Sequence, residues 1–157
     1  MPRRGKTPHR IVIPDAKYSS RNVTRMVSRI MYDGKRSVAE RIVYDALDLI
    51  EQRARRNPLD VFEQAIKNAT PAIEVKPRRV GGATYQVPVE IRSERKMALA
   101  MRWIIASSRK RPGGRTMAEK LAAELMDTAA GQSATTRKKD ETHKMAESNR
   151  AFAHYRY

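Results

Sequence analysis

Apolar side chains recur at helical spacing along most of the chain. In the first such segment Val23, Val27, Ile30 and Met31 occupy the i, i+4, i+7, i+8 positions of one helix face. Four further segments repeat this period, with predicted buried positions Val38, Ile42, Val43, Ala46, Leu47, Ile50 and Ala54; Leu59, Phe62, Ala65, Ile66 and Ala69; Met97, Ala100, Met101, Ile104 and Ile105; and Leu121, Ala122, Leu125, Met126 and Ala129. With a last helix from Ala134 to about Asn149, the pattern predicts a mainly α fold, a bundle of about six helices.

Helix starts are marked by side chains that can accept hydrogen bonds from the free N–H groups of a first turn. Residues 37–40 and 116–119 have the spacing of a capping box. Asn57 followed by Pro58 predicts another start. Further predicted caps are Ser19 or Ser20 for the first helix and Ser93 for the fourth.

Between the third and fourth predicted helices lies a different pattern, in residues 73–91. Two runs of β-branched and aromatic residues flank Gly81 and Gly82. Two glycines between such runs predict a β-hairpin, because tight hairpin turns need the positive φ that glycine adopts at little cost. A two-residue turn would place Arg78 opposite Tyr85, Lys76 opposite Val87 and Arg79 opposite Thr84.

The predicted hairpin, called the arm below, has no acidic residue from Val75 to Val89. Strands of about eight residues would reach roughly 25 Å. Both faces mix basic, aromatic and aliphatic residues, so neither is expected to lie on a core, and support at the base is expected because two isolated strands are marginally stable. A basic ribbon with an aromatic residue is typical of nucleic-acid binding. An ordinary surface hairpin is an equally good interpretation of this stretch alone.

Length and charge indicate one domain with a polyanionic partner. The 157 residues carry a formal net charge of +16. Residues 75–116 hold 11 basic residues and 2 acidic ones, whereas residues 40–74 hold 5 and 7. This segregation predicts a cationic binding surface on a neutral-to-acidic helical scaffold.

Several function classes find no support in the sequence. There is no cysteine, no apolar run approaches the ~20 residues of a membrane span, and the first ten residues lack a signal-peptide core, so a soluble intracellular protein is expected. No phosphate-binding loop is present, and the His143–Glu147 pair lacks a third metal ligand. We therefore expect no enzyme activity, cofactor, metal site, membrane contact or small-molecule substrate.

Some segments leave two interpretations open. Residues 1–18 are predicted to be a basic extension that is disordered when free and orders on phosphate, or a solubilising tail. Arg21, Arg25 and Arg29 recur every four residues, as phosphate contacts or as a solvated face. Aromatic residues in the tail, residues 150–157, could stack on bases, although Phe152 is expected to pin the tail to the helical core. Trp103 is expected to be a core anchor, and Met101, Met126 and Met145 core fillers.

Four stretches closely resemble one family. Residues 78–90, RRVGGATYQVPVE, resemble the arm of the bacterial-type small-subunit ribosomal protein seven family. Residues 1–4 (MPRR), 98–103 (ALAMRW) and 145–156 (MAESNRAFAHYR) agree with the same family. The likeness extends over essentially the whole chain. Tyr157 departs from it, since the family commonly ends in Trp, and so does the loop at residues 112–114.

The resemblance implies a fold, a function and a set of partners. The fold would be a single rRNA-binding domain spanning residues 1–157, a helical bundle with a protruding hairpin. The protein would bind the 3′ major domain of small-subunit rRNA, nucleate assembly of the subunit head, and lie near the tRNA exit site of the cytoplasmic ribosome. Exit-site tRNA, mRNA and small-subunit proteins nine and eleven would be its other partners.

The expected contact residues follow from the resemblance together with the charge pattern. The expected rRNA contacts are Arg3, Arg4, Lys6, Arg10, Arg25, Lys35, Arg36, Lys76, Arg92, Arg95, Lys96, Arg102, Arg109, Lys110, Arg111 and Lys138. The expected exit-site element of the arm comprises Arg78, Arg79, Gly81, Gly82 and Tyr85. Arg150, His154 and Tyr155 are expected to lie near tRNA.

Two rival functions fit parts of the pattern. Helices with a basic β-arm also describe DNA-bending architectural proteins, but the Gly-Gly tip carries no apolar wedge to insert between bases. An RNA-modifying enzyme is disfavoured because cofactor motifs are absent.

Overall fold

The computed structural model describes residue 5 and residues 11–155. Its elements are α1 (Arg21–Ile30), α2 (Arg36–Ala54), α3 (Pro58–Ala69), β1 (Ile73–Val80), β2 (Ala83–Glu90), α4 (Ser93–Lys110), α5 (Met117–Ala129), α6 (Ala134–Ser148) and a 3-10 helix (Arg150–Tyr155). The predicted mainly α fold, with six helices and a hairpin between the third and fourth, is confirmed.

Helix α5 lies at the centre of the bundle, where it contacts α2, α3, α4 and α6. Leu121 and Leu125 of α5 are buried with Leu47 of α2, Phe62 of α3 and Ile104 of α4. Burying such a side chain contributes about 1.5–3 kcal/mol, so this cluster supplies much of the stability that holds the basic segments in place.

Most predicted buried positions belong to the core, but two do not. Val38 is 49% exposed, because the buried face of α2 begins at Ala39 instead. Met145 was predicted to be a core filler and is 46% exposed, whereas Ala146 beside it is buried. A third expectation also fails: Trp103, expected to be a core anchor, is half-buried and is not part of the core cluster.

The predicted capping box at residues 37–40 is wrong. Helix α2 begins at Arg36 after Lys35, and the side chain of Lys35 accepts no capping hydrogen bond. The carboxylate of Glu40, which a capping box would turn back to the backbone, instead pairs with Arg36 one turn earlier, with Nε and Oε1 2.8 Å apart. Glu40 therefore forms a side-chain ion pair and no capping hydrogen bond to the backbone.

Other helix starts follow the prediction more closely. Asn57 Oδ1 accepts a hydrogen bond from Leu59 N, as predicted. Thr116 Oγ1 accepts one from Glu119 N, although the Glu119 carboxylate binds the N–H group of Arg115. Two predicted caps make no side-chain bond: Ser20 is the N-cap of α1 without one, and Ser93 is the first residue of α4.

The arm has the predicted pairing. Arg78 lies opposite Tyr85, Lys76 opposite Val87 and Arg79 opposite Thr84, with eight residues in each strand. Gly81 and Gly82 form the turn with φ of 57° and 88°, values that strain a residue bearing a Cβ atom.

The expectation that neither face of the arm would be buried is wrong. Val87 is fully buried, and the neighbouring Pro88 is also buried. The lower part of the arm packs on α6, and β2 packs on the 3-10 helix. The segment from Lys76 to Thr84 is exposed. The arm therefore consists of a supported base and a projecting basic end.

Residues 13–18 are held against the helical body, so the prediction that residues 1–18 are disordered without phosphate fails for this part. Tyr44 donates a 2.6 Å hydrogen bond to Asp15, and Lys17 Nζ lies 2.7 Å from Asp48. The hydroxyl of Thr24 donates to the carbonyl of Ile13. Residues 1–4 and 6–10, including the predicted contacts Arg3, Arg4, Lys6 and Arg10, lie outside the described residues.

Candidate nucleic-acid interface

Four arginines of α1 and α4 lie along the groove between these two helices, and together they are called the arginine cluster. Arg25 and Arg29 come from α1, and Arg102 and Arg109 come from α4. Arg29, Arg102 and Arg109 line a cleft of about 210 Å³ whose floor includes Ile105. Among the described residues, no acidic side chain forms an ion pair with any of the four.

The charges of the arginine cluster repel one another. Partial burial lowers the pKa of Arg29, and the positive charges of Arg102 and Arg25 lower it further. Arg25 is half-buried, and its Nη1 donates a 3.2 Å hydrogen bond to the Met97 sulfur, a weak acceptor. The fold thus concentrates positive charge without neutralising it, and an anion in this groove would relieve the repulsion.

Arg109 is fixed at the end of this groove by two neutral groups. Its Nη1 donates a 2.7 Å hydrogen bond to the Tyr32 hydroxyl, and its Nη2 donates to the carbonyl of Ile30 at 3.2 Å. The guanidinium carbon also lies 4.3 Å from the centre of the Tyr32 ring, a cation–π contact. These contacts orient the guanidinium without cancelling its charge.

The arm carries a second group of basic residues. Arg78 and Arg79 are exposed on its projecting part and take no part in the ion pairs among the described residues. Nearer the base, Glu74 pairs with Lys76 at 3.2 Å and with Arg95 of α4 at 2.9 Å. The Lys76 pair lies within β1, whereas the Arg95 pair joins the arm to α4. Arg95 therefore has a role in attaching the arm, besides any contact with a ligand.

The C-terminal 3-10 helix packs on the arm through aromatic rings. The ring centre of Tyr85 lies 5.0 Å from that of Phe152 and 5.4 Å from that of Tyr155. Phe152 was expected to pin the tail to the helical core, and this expectation is wrong because its aromatic partners are Tyr85 and Tyr155. Arg150 and His154 are exposed on the same 3-10 helix.

Helix α6 holds the chain where the arm begins. Lys139 Nζ donates a 2.7 Å hydrogen bond to the carbonyl of Asn68, and His143 Nε2 accepts one of 3.1 Å from Ala72 N. Lys139 is half-buried for this reason. His143 is thus engaged with the backbone, and no three metal-ligating side chains among the described residues are grouped to hold an ion.

Arg111 is bound within the fold. Its guanidinium pairs with Asp127 and with Glu124, whose side chain is 2% exposed. Glu124 also accepts hydrogen bonds from the backbone and hydroxyl of Thr135. The hydrogen bond that Arg111 donates to Asp127 is the largest cause that raises the pKa of its guanidinium. This network ties the segment after α4 to α5 and α6.

The remaining predicted contacts divide into two groups by their surroundings. Arg36 and Lys138 pair with acidic residues one turn away on their own helices. Lys35, Arg92 and Lys110 are exposed and Lys96 is half-exposed, and no ion pair among the described residues involves them. Lys110 belongs to the last turn of α4, where a positive charge favours the helix dipole.

Two features of the structure were not predicted from the sequence. Arg29 belongs to the row of arginines on α1, but nothing in the sequence places it beside Arg102. The capping box formed by Ser133 and Thr136 at the start of α6 also went unrecognised. Its signal was a threonine at the third helical position, where glutamate or glutamine is the usual signature.

Comparison with known proteins decides among the candidate functions. The family model for ribosomal protein S7p/S5e matches residues 2–150. The chain belongs to this family. Small ribosomal subunit protein uS7 of Carboxydothermus hydrogenoformans is 57% identical over 157 residues, which is 100% of both chains. The proteins of the same name from Desulforamulus reducens and Xylella fastidiosa (strain M23) are 55% and 54% identical over the same full lengths.

Family membership confirms the expected class of protein. Members are RNA-binding structural components of the small ribosomal subunit that act in translation and are not enzymes. In bacteria they belong to the cytoplasmic ribosome. This identification excludes the RNA-modifying enzyme and leaves the DNA-bending interpretation without support. In the part of the chain that the structure describes, no helix is long and apolar enough to cross a bilayer.

Proposed function

We propose that this chain binds the 3′ major domain of small-subunit rRNA directly and nucleates assembly of the subunit head. The arginine cluster carries this proposal. Rigid helices hold its four guanidinium groups together, and no carboxylate of the described residues pairs with them. Phosphate groups of folded RNA supply the missing counter-charge, and arginine matches phosphate with paired donors.

The shape of the basic surface favours binding to folded RNA with junctions over binding to a regular double helix. Side chains cannot read the deep major groove of an A-form helix, so a protein that organises folded RNA uses phosphate contacts and extensions that reach junctions. The arm is such an extension, while Lys35, Arg92 and Lys96 add positive charge on the helical body. The acidic helical block from residue 40 to residue 74 would face away from the RNA.

The projecting part of the arm has a different proposed role. Arg78 and Arg79, on β1 just before the Gly81–Gly82 turn, would lie near mRNA and the tRNA that leaves the exit site. Arg150, His154 and Tyr155 would lie beside them, because the 3-10 helix packs on the arm. Small-subunit proteins nine and eleven are the proposed protein neighbours.

A binding experiment tests the rRNA proposal. The affinity of the full chain for an rRNA fragment of the 3′ major domain is measured against salt concentration, beside duplex DNA of equal length. We expect a preference for the RNA fragment. Replacing Arg25, Arg29 and Arg102 by glutamine should make the salt dependence shallower by about 0.7–0.9 for each phosphate that the protein no longer neutralises.

A control variant removes the same charge elsewhere. Arg41, Arg53 and Lys67 are exposed in the acidic block, and replacing all three by glutamine should change the salt dependence less than the arginine-cluster variant does. Equal effects of the two triple variants would show that only total charge matters. A preference for the duplex DNA would contradict the proposal and favour a DNA-bending protein.

A further inference from the structure

The C-terminal part of the chain contacts the arm at two levels. At the base, Lys139 of α6 binds the backbone carbonyl of Asn68 in α3, and His143 of α6 binds the backbone N–H of Ala72, the residue before β1. Farther out, at the sixth of the eight residue pairs counted from the base, Phe152 and Tyr155 pack on the ring of Tyr85. The two levels are one continuous segment, since the 3-10 helix follows α6 after a single residue.

These contacts answer a physical difficulty of the arm. A two-stranded ribbon is marginally stable alone and free to bend at its base. Backbone hydrogen bonds to α6 fix the direction in which β1 leaves α3. Aromatic packing above them restrains the ribbon itself, because Tyr85 shares a face with the fully buried Val87.

We infer that Phe152 and Tyr155 are positioning residues, which set the orientation of the arm and hold its Arg78–Arg79 end at a fixed place relative to the helical body. Tyr85 is then part of this attachment and is not free to stack on a base. The C-terminal segment acts on the ligand through the arm, in addition to any contact that Arg150 or His154 makes directly.

The inference can be tested on the protein without RNA. The chain contains no cysteine, so Ala83→Cys at the arm tip and Gln52→Cys on α2 give two unique sites for spin labels. We expect a narrow distribution of distances between the labels in the otherwise unchanged chain. Combining Phe152→Ala with Tyr155→Ala should broaden it, and amide exchange in β1 and β2 should become faster by about tenfold or more, while exchange in α5 stays the same.

Two further variants separate positioning from a general loss of packing. Tyr155→Phe keeps the ring and should leave the distance distribution narrow. Met145→Ala removes an exposed apolar side chain in the last turn of α6, outside the aromatic cluster, and should also leave it narrow. If the double variant loses protection in α5 as well, the single variants Phe152→Ala and Tyr155→Ala provide the measurement, because neither residue belongs to the bundle core.

An unchanged distance distribution and unchanged exchange of the arm in the Phe152 and Tyr155 variants would overturn the inference. Its consequence for RNA rests on the proposed function: the variants should weaken arm contacts while leaving the effect of the arginine cluster intact. The two failures are distinguishable. A loosened arm with unaltered RNA binding would contradict the proposed role of the arm, but it would leave the positioning of the arm by Phe152 and Tyr155 established.

Discussion

Arg29 of α1 and Arg102 of α4 line the same cleft. Partial burial is the main cause that lowers the pKa of the Arg29 guanidinium, and the positive charge of Arg102 is the second. Two like charges on adjacent helices oppose the packing of those helices. The free protein therefore retains a repulsion between two arginines, and a phosphate group of the proposed RNA ligand would offset that repulsion.

We predict that Arg102→Gln stabilises the free protein while weakening its binding to RNA. Removing a repulsion between partly exposed charges should raise the free energy of unfolding by ~0.2–1 kcal/mol, measured by urea denaturation. Arg41→Gln, at an exposed position in the interior of α2, serves as control and should leave the stability unchanged. Lower stability of the Arg102 variant would show that this side chain contributes packing that outweighs the repulsion.

Arg111 is predicted to matter for stability more than for RNA affinity. Arg111→Met would leave the buried carboxylate of Glu124 with only its hydrogen bonds from Thr135, and should cost about 2–3 kcal/mol in unfolding free energy. The neighbouring Lys110→Met is a control that should cost less, about 0.3–1 kcal/mol, because it removes only the favourable interaction of this charge with the helix dipole. If instead both variants reduce rRNA affinity equally and neither reduces stability, Arg111 acts as an RNA contact.

The attachment of residues 13–18 predicts a loss of stability at alkaline pH. A hydrogen bond to Asp15, followed by burial, raises the pKa of Tyr44 from its ordinary 10 to about 12. In the unfolded chain Tyr44 loses its proton near pH 10, so this contribution is complete below pH 10 and disappears as the pH rises to about 12.

The Tyr44→Phe variant isolates this effect. It should be less stable than the unchanged chain by about 1 kcal/mol at neutral pH, and the difference should vanish between pH 10 and pH 12. Urea denaturation of the two proteins across this range measures it, with Tyr32→Phe as a control tyrosine whose hydroxyl instead bonds Arg109. A difference that stays constant with pH would mean that the Asp15 hydrogen bond is not its source.

We predict that the projecting part of the arm and the N-terminal extension serve different functions. Replacing Arg78 and Arg79 by alanine should alter tRNA exit or maintenance of the reading frame more than rRNA affinity, because both residues lie beyond the supported base of the arm. Replacing Arg3 and Arg4 by alanine should do the reverse. Filter binding and a frameshift reporter compare the pairs, and equal losses of rRNA affinity would refute this division.

The sequence predicted those features that depend on neighbouring residues. The pairing of Arg78 with Tyr85 followed from the two glycines, because a two-residue turn leaves a single register. The cap at Asn57 followed from the proline after it. The capping box predicted at Ser37 was wrong because Glu40 forms an ion pair with Arg36 instead. The local sequence pattern does not show which of these two contacts is more stable.

Features that depend on packing between distant segments could not be predicted in this way. The approach of Arg29 to Arg102 depends on how α1 meets α4, which neither helix specifies alone. Likewise, the aromatic pattern of the tail indicated that Phe152 would be covered, but the tail could equally have reached the bundle. Only the folded chain shows that Tyr85 covers it.

The contact between Phe152 and Tyr85 has a consequence for the order of events on a translating ribosome. Phe152 is synthesised 62 residues after Glu90, the last residue of β2, an interval of about 3–12 s at ~5–20 residues per second. Until then the arm of a nascent chain has no aromatic partner for Tyr85. The arm acquires its final direction only after α6 and the 3-10 helix have folded against it, so productive docking of the arm on RNA would be delayed until then.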